Sequence, residues 1–272
     1  IGYNSKTGGS WGEFFVAHVS QLYEVPENIS DEEAVMVDPF ACSAHGVFST
    51  DLSEAKQVLV YGGGGILGLG VIASLRASGY TGRIDAYELG WGMKPHIREM
   101  GADEMLVCPA TKAEKFDMFA HRTGASVQRV RFGNRTLSGG YDVVFDCVGT
   151  NESFTDCLKL CRGKGQVTVL GTLQVGRVGL TSLWFRELTV RGVYGRGMER
   201  HDGLSTPTYK VMLDWVADGT VNVKGLVTHQ FRLSQLQEAL VKSTEKSRHG
   251  IIKAVFDFRP KQTEPCDRKD RS

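Results

Sequence analysis

Val58-Leu-Val-Tyr-Gly-Gly-Gly-Gly-Ile-Leu-Gly68 is the stretch of the chain that decides its fold. Its apolar start predicts a buried strand, and its glycines open a helix predicted over Ile66–Ser78. In the frame Gly63-x-Gly65-x-x-Gly68, the first glycine makes a tight turn and the second lets a pyrophosphate approach the backbone. The third lets the helix pack closely on the strand. The N–H groups at the helix start, at Ile66 and Leu67, are predicted to face the phosphates.

A carboxylate follows at the distance expected for the ribose of a bound dinucleotide. The next predicted strand, Arg83–Glu88, ends about 20 residues beyond Gly68, where an acidic residue accepts from the ribose 2′-hydroxyl. Glu88 would repel a 2′-phosphate, and the following residues bring no arginine clamp, so NAD is predicted rather than NADP. The alternative is an ordinary turn and a solvated strand end. The agreement of spacing and context favours the dinucleotide site.

The composition is typical of a soluble α/β protein. With 272 residues, 41% hydrophobic content and 33 glycines, the chain has room for one large or two ordinary domains. The formal net charge of +1 argues against nucleic acid or a membrane surface as a partner. Six cysteines without a disulfide-like framework predict a reducing, cytoplasmic compartment. Cys157 and Cys161 are interpreted as core thiols, with a shared metal as the alternative.

Short apolar strands alternate with helical segments from Gln57 to Tyr194. This pattern predicts right-handed crossovers and a doubly wound parallel sheet. A dinucleotide would lie across the carboxyl ends of the strands, where the strand order reverses. The predicted strands are Gln57–Tyr61, Arg83–Glu88, Glu104–Cys108, Tyr141–Asp146, Gln166–Leu170 and Leu188–Tyr194. The predicted helices between them are Ile66–Ser78, Met93–Met100, Lys112–Thr123 and Asn151–Cys161.

Other segments lie outside this minimal unit. Residues 125–140 predict an extra hairpin turning at Gly133-Asn134, whose arginines form either a phosphate patch or a solvated face. The segment Trp11–Val19 predicts a strand from a different layer, and Ser30-Asp-Glu-Glu33 is a capping-box helix start. The flanks of the sheet therefore predict a second domain that the chain leaves and re-enters. The charged residues from Arg259 onward predict a frayed tail.

These motifs, in this order, resemble the medium-chain dehydrogenase/reductase superfamily, in its zinc-dependent alcohol, polyol and threonine dehydrogenase branch. The resemblance runs from Gly9 to Phe258. Besides the glycine motif it rests on Gly9-Ser-Trp-Gly-Glu-Phe-Phe-Val16, Asp31-Glu-Glu-Ala-Val-Met-Val-Asp-Pro-Phe40, Met100-Gly-Ala-Asp-Glu104, Tyr141-Asp-Val-Val-Phe-Asp-Cys-Val-Gly149, Phe185-Arg-Glu-Leu-Thr-Val-Arg-Gly192 and Leu226-Val-Thr-His229.

The resemblance implies a doubly wound Rossmann sheet with a partial second, GroES-like catalytic domain. Residues 1–45 would be a remnant of the catalytic domain, residues 46–222 the NAD-binding domain, and residues 223–258 the return to the catalytic domain, before a flexible tail at 259–272. It also implies a homodimer or homotetramer, because the last Rossmann strand pairs with its counterpart at the sheet edge.

The activity implied by the resemblance is zinc-assisted hydride transfer between NAD and a small alcohol, polyol or ketone. Asp38 falls where relatives carry an acid before proline, so it is expected to bind zinc directly or through water. The alternative is a capping or supporting carboxylate. Cys42 is implied to lie beside the nicotinamide, and His45 is interpreted as a hydrogen-bonded helix residue. Further implied contacts are Cys147, Val148 and Gly149 near the adenosine, and Leu170, Gly171, Val193 and Tyr194 near the carboxamide.

Several features of the zinc-dependent branch are missing from the sequence. It lacks the early cysteine, the His-Glu pair and the lobe of four cysteines, and it begins with Ile1. This indicates a truncated chain that is inactive alone. Two alternatives stay open: a zinc-free quinone or enoyl reductase of the same superfamily, and a non-catalytic dinucleotide-binding module. Asp38 before Pro39 favours the zinc-dependent branch over the first of these.

Overall fold

The structure is a computed structural model that describes residue 9 and residues 11–129 and 135–259. Its contacts divide the chain into two compact units. The larger is Tyr23–Lys224, and the smaller is drawn from Ile1–Leu22 and Gly225–Ser272. Residues 23–45, which the sequence analysis assigned to the catalytic remnant, lie in the larger unit.

The larger unit alternates helices and strands along most of its length. In chain order these are α1 (Asp31–Ala34), α2 (Val37–Phe48), β1 (Gln57–Tyr61), α3 (Ile66–Ala77), β2 (Arg83–Glu88), α4 (Lys94–Glu99), β3 (Glu104–Val107), α5 (Lys112–Thr123), β4 (Ser126–Arg129), β5 (Arg135–Ser138), β6 (Tyr141–Asp146), α6 (Asn151–Leu160), β7 (Cys161–Val169), α7 (Thr181–Phe185), β8 (Thr189–Gly192), β9 (Met198–His201), β10 (Leu204–Pro207) and α8 (Thr208–Ala217).

Six of these strands form one parallel sheet in the order β3-β2-β1-β6-β7-β8. At the centre, Val60 of β1 is in register with Ala86 of β2 on one side and with Phe145 of β6 on the other. The chain runs outward from β1 to β3 and then returns to the other side of β1, so the strand order reverses between β1 and β6. The doubly wound α/β fold is confirmed, and the reversal places a natural ligand crevice at this point.

The central strands are apolar because both faces of the sheet are covered. Val58, Leu59 and Val60 have no exposed surface. On one face Phe119, Tyr141, Phe154 and neighbouring residues form a continuous cluster, which also contains the fully buried thiols of Cys157 and Cys161. Their position in the core is the one predicted.

Three sequence predictions differ from the structure by more than one residue at an end. The strand predicted from Gln166 begins at Cys161, directly after α6, and the strand predicted over Leu188–Tyr194 covers only Thr189–Gly192. The strand predicted over Trp11–Val19 is wrong, since residues 11–18 adopt no strand and Val19–Gln21 form a 3₁₀ turn. A strand requires a hydrogen-bonded neighbour, and within the described residues this exposed aromatic stretch has none.

The predicted hairpin is present as the antiparallel pair of β4 and β5, in which Val127 faces Leu137. Its turn at Gly133-Asn134, and Arg131 with it, lie outside the described residues. Arg129 is exposed, and Arg135 lies 3.5 Å from Asp117. The capping box of Ser30 and Glu33 at the start of α1 is also present.

The smaller unit contains β11 (Val227–Phe231), α9 (Leu236–Thr244), α10 (Lys246–His249) and β12 (Lys253–Phe256). The two strands pair in parallel, and the ring of Trp11 packs edge-on against Phe256 with the centroids 5.4 Å apart. Across the part of the chain that the structure describes, no helix has both the length and the apolar character needed to cross a membrane.

Candidate functional site

The glycine-rich turn joins the carboxyl end of β1 to the start of α3. Gly62 has a φ of +83°, a left-handed conformation that favours glycine. The N–H groups of Gly62 and Gly63 both donate to the carbonyl oxygen of Tyr87, at 2.9 and 3.0 Å. The turn is thereby fixed to the end of β2, the strand whose last residue is Glu88.

Two of the three motif glycines are required by packing. A Cβ on Gly63 would lie 2.6 Å from the Cβ of Ala86, and a Cβ on Gly68 would lie 2.2 Å from the carbonyl oxygen of Gly62. Gly65 differs, because it is exposed and a Cβ there would meet nothing nearer than 3.5 Å. The fold therefore leaves one side of Gly65 open, as the close approach of a ligand requires.

The start of α3 presents backbone donors at this open side. Gly65 is the N-cap and supplies no side-chain cap. The first N–H groups of a helix have no partner within the helix, so those of Ile66 and Leu67 are available to an anion. This is the arrangement that the sequence predicted for a pyrophosphate.

Glu88 lies against the same turn. Its Oε2 accepts from the N–H of Gly64 at 2.8 Å, and its Oε1 accepts from the N–H of Leu89 at 2.7 Å. Lys94, at the start of α4, has no sequence motif to mark it; its Nζ lies 4.9 Å from the ring centroid of the exposed Trp91. Lys94 lies six residues after Glu88 in the sequence, so we expect its charge to reduce the negative potential of that carboxylate.

The loops that follow β6 and β7 are both held by Asp146, the last residue of β6. This residue was not among the site residues predicted from the sequence. Its buried carboxylate accepts from the N–H groups of Val148 and Gly149, both at 3.0 Å. Its carbonyl oxygen accepts from the N–H groups of Leu170 and Gly171, at 2.9 and 3.0 Å. The signal that could have found it is an aspartate at the end of an apolar strand. Burial raises the pKa of this carboxyl.

Three loops meet at the carboxyl edge of the sheet. A Cβ on Gly149 would lie 2.4 Å from the carbonyl carbon of Gly171, and a Cβ on Gly62 would lie 2.5 Å from Cγ2 of Val148. Cys147 donates its N–H to the carbonyl oxygen of Tyr61, and burial raises the pKa of its thiol. The structure therefore brings the glycine turn together with five of the predicted contact residues, namely Cys147, Val148, Gly149, Leu170 and Gly171.

The last two predicted contact residues follow β8. The N–H of Val193 donates to the carbonyl oxygen of Val169 at 2.9 Å, which continues the sheet by one bond. The side chain of Tyr194 is 82% exposed. Tyr194 therefore lies beyond the end of β8, and its side chain is largely exposed to solvent.

Asp38, Cys42 and His45 lie on one face of α2, as their spacing requires. Asp38 accepts a hydrogen bond from the hydroxyl of Tyr209 on α8. Burial, and then the charge of Asp38, raise the pKa of the Cys42 thiol. His45 Nδ1 lies 2.6 Å from Oε1 of the buried Glu199, in agreement with its interpretation as a hydrogen-bonded helix residue.

The helix α2 is close to the loop after β7. A Cβ on Gly46 would lie 2.8 Å from Cδ2 of Leu170, so the small residue lets the helix approach the carboxyl edge. Near Asp38, the guanidinium of Arg196 lies 4.7 Å from the ring centroid of Tyr209, and Tyr23 stacks on that ring at 5.0 Å. Sequence reasoning missed Arg196 and Tyr209, because only the tertiary structure brings them beside Asp38.

The donor set around Asp38 does not by itself fit a zinc ion. Zinc sites in proteins use three or four nitrogen, sulfur or oxygen ligands. Within residues 11–129 and 135–259, no group of three or more histidine, cysteine, aspartate or glutamate side chains is arranged to hold a metal ion. Asp38 is therefore a single candidate zinc ligand, and its carboxylate accepts a hydrogen bond from the hydroxyl of Tyr209.

Comparisons with known proteins place this geometry in context. The sequence model of the zinc-binding dehydrogenases matches residues 67–218. The chain is 28% identical over 246 residues to a sorbitol dehydrogenase of Arabidopsis thaliana and 28% identical over 245 residues to an L-idonate 5-dehydrogenase of Vitis vinifera. Each alignment covers 89% of this chain and 61% of the relative, so the chain spans about three fifths of the length of these relatives.

Among solved structures, the L-idonate 5-dehydrogenase of Escherichia coli superposes with a TM-score of 0.68 at 20% sequence identity. The superposition covers 88% of this chain and 60% of that protein. This likeness confirms the fold.

Proposed function

This chain belongs to the zinc-binding dehydrogenase family, and we propose that its larger unit binds NAD for hydride transfer to or from a small alcohol, polyol or ketone. The observation that carries the proposal is the uncapped start of α3, which opens beside Glu88 at the point where the strand order reverses. A pyrophosphate there receives backbone N–H groups, and a ribose hydroxyl has a carboxylate to donate to.

The remaining contacts of the proposal extend along the carboxyl edge. The loop after β6 would face the adenosine, the loop after β7 and the end of β8 would face the nicotinamide, and Cys42 would lie beside the reacting ring. The residues assigned to the cofactor are Gly63, Gly65, Ile66, Leu67, Gly68, Glu88, Cys147, Val148, Gly149, Leu170, Gly171, Val193 and Tyr194. The domain assignment as residues 1–45, 46–222, 223–258 and 259–272 is part of the same proposal.

The cofactor is expected to be NAD rather than NADP. Glu88 repels a 2′-phosphate, so NADP should bind about tenfold or more weakly, with Lys94 reducing the difference. Titration of both cofactors by tryptophan fluorescence measures this, because Trp91 is exposed and follows Glu88 by three residues in the sequence. Glu88→Ala should narrow the difference in affinity between NAD and NADP. Glu54→Ala removes an exposed carboxylate before β1 and should leave that difference unchanged. Tighter binding of NADP by the unaltered chain would contradict the assignment.

Asp38 is proposed as one oxygen ligand of a catalytic zinc, with Tyr209 positioning its carboxylate. Zinc would polarise the substrate oxygen when it is bound. The described residues provide one ligand of the three or four that zinc needs, so no reaction step is assigned to zinc on them.

The 272-residue chain is expected to bind NAD but to form no NADH from alcohols. The proposed dinucleotide contacts all lie within the described residues, whereas those residues offer one candidate zinc ligand, Asp38. Zinc content and alcohol-dependent absorbance of NADH test this. An upstream-extended form whose coding sequence supplies a cysteine and a His-Glu pair should bind one zinc and be active. Zinc-independent reduction of quinones or enoyl thioesters would instead indicate a zinc-free reductase, and an inactive extended form would indicate a non-catalytic binding module.

A homodimer or homotetramer is proposed through the edge of the sheet. The strand β8 is the last in the sheet order and pairs with β7 alone among the described strands. An open edge offers backbone groups to a second copy. Light scattering should return at least twice the mass of the chain, and a monomer mass would count against the proposal.

A cytoplasmic location is also proposed. Five free thiols in the described residues fit a reducing compartment.

A further inference from the structure

We propose that a groove between α5 and α6 binds the phosphate group of a small soluble molecule, at a site separate from the proposed NAD site. The groove encloses about 600 Å³, within the usual range of small-molecule sites. It is lined by one face of each helix, by Arg135 of the hairpin and by Arg177 of the loop after β7. Neither the glycine turn nor Glu88 contributes to its lining.

The lining carries more positive than negative charge. Its charged side chains are four cations, Lys112, Arg135, Lys159 and Arg177, and two carboxylates, Glu152 and Asp156. Both carboxylates already lie close to lysines: Lys112 Nζ is 3.0 Å from Glu152, and Lys115 Nζ is 2.6 Å from Asp156. Arg135 likewise lies 3.5 Å from Asp117 of α5. With Lys115 and Asp117 added to the lining there are five cations and three carboxylates, so an anion that enters the groove meets a net positive charge.

The cations are close enough to influence one another. The pKa of Lys159 is lowered by burial and further by the charges of Lys112 and Lys115, although Asp156 acts in the opposite direction. The ammonium of Lys159 lies 6.0 Å from the ring centroid of Phe116. A dianion bound beside Lys159 would offset this repulsion, and partial burial makes the attraction stronger than at an open surface.

The shape and chemistry of the groove favour a phosphate ester over other anions. Phe116 and Ala113 give it an apolar wall that can contact the body of a small molecule. The starts of α5 and α6 are closed by capping boxes of Thr111 with Glu114 and of Thr150 with Ser153. Side chains, above all Lys159 and Arg177, must therefore hold the anion, and guanidinium groups suit phosphate because they donate two parallel hydrogen bonds.

Calorimetric titration of the 272-residue chain with glycerol 3-phosphate, and with inorganic phosphate for comparison, tests the proposal. Both probes should bind, the ester more tightly because of the apolar wall. Lys159→Gln and Arg177→Gln should each weaken binding about tenfold, the loss expected for one charge-assisted hydrogen bond. Lys159→Arg should retain most of the affinity. Lys210→Gln removes an exposed cation of α8 outside the groove, so the affinity for both probes should stay unchanged.

Amide chemical shifts distinguish this site from the dinucleotide site. Glycerol 3-phosphate should shift the resonances of α6 around Thr155 and Lys159, and Gly65→Ala should leave these shifts intact while impairing NAD binding. A failure of NAD binding would therefore not affect this inference. Three results would each overturn the inference. They are chemical shift changes confined to Gly63–Gly68, an affinity in Lys159→Gln and Arg177→Gln equal to that of the unaltered chain, and no heat of binding for either probe.

Discussion

Gly68→Ala is expected to destabilise the larger unit by about 3 kcal/mol and to abolish dinucleotide binding. The added Cβ would lie 2.2 Å from the carbonyl oxygen of Gly62 and 2.7 Å from the Cα of Gly63. Both contacts are to backbone, so no side chain can rotate away. Either α3 moves off β1 or the turn changes shape, and each outcome displaces the donors at the helix start. Denaturant unfolding and NAD titration measure the two effects.

Gly65→Ala provides the matched comparison within the same motif. Its Cβ has a nearest neighbour at 3.5 Å, so the free energy of unfolding should stay within about 1 kcal/mol of the unaltered value. NAD binding should still be lost, because the methyl group occupies the open side where the pyrophosphate approaches. Gly163→Ala, with its nearest contact at 3.9 Å and remote from the motif, should affect neither quantity. Equal destabilisation by the Gly65 and Gly68 variants would contradict this division of roles.

Arg122→Met is expected to cost about 3–5 kcal/mol of folding free energy. The carboxylate of Asp85 on β2 is fully buried. It accepts from Arg122 at 2.7 and 3.0 Å and from the hydroxyl of Tyr141 at 2.8 Å. Removing the guanidinium leaves a buried carboxylate with the more distant Arg83, at 3.4 Å, as its remaining cationic neighbour. Because β2 ends in Glu88, the same change should also weaken NAD binding.

Lys210→Met is the control for this ion pair. Lys210 pairs with Asp214 on α8, where both side chains are about half exposed, so its loss should cost at most about 1 kcal/mol. Urea unfolding of both variants gives the comparison. If Arg122→Met costs no more than Lys210→Met, the buried pair does not stabilise β2 in the manner described.

The sequence by itself determined the elements whose causes are local. Gln57–Tyr61 is a strand because consecutive apolar residues can be buried on both faces, and Lys112–Thr123 is a helix because Thr111 and Glu114 close its first turn. The glycine spacing fixed the turn before α3, since a positive φ and close backbone contact both exclude a Cβ. These features depend on residues a few positions apart, so they can be predicted without knowing which elements become neighbours.

The same local argument failed at Trp11–Val19, a stretch predicted from the sequence to be a strand of a different layer. A helix closes its hydrogen bonds within one segment, whereas a strand needs a partner from elsewhere in the chain. Whether that partner is present is a property of the tertiary structure. In the described residues it is not, and the segment stays irregular.

Only the tertiary structure decided which distant residues share a site. Asp146 holds the loops after β6 and β7, Tyr209 bonds to Asp38 across 171 positions of sequence, and the groove beside Lys159 joins two helices, a hairpin and a loop. None of these contacts has a periodic or spacing signal, because each arises when the packing of apolar faces fixes the order of strands and the placement of helices. The motif predicted where a dinucleotide would bind, while the packed fold determined which groups surround it.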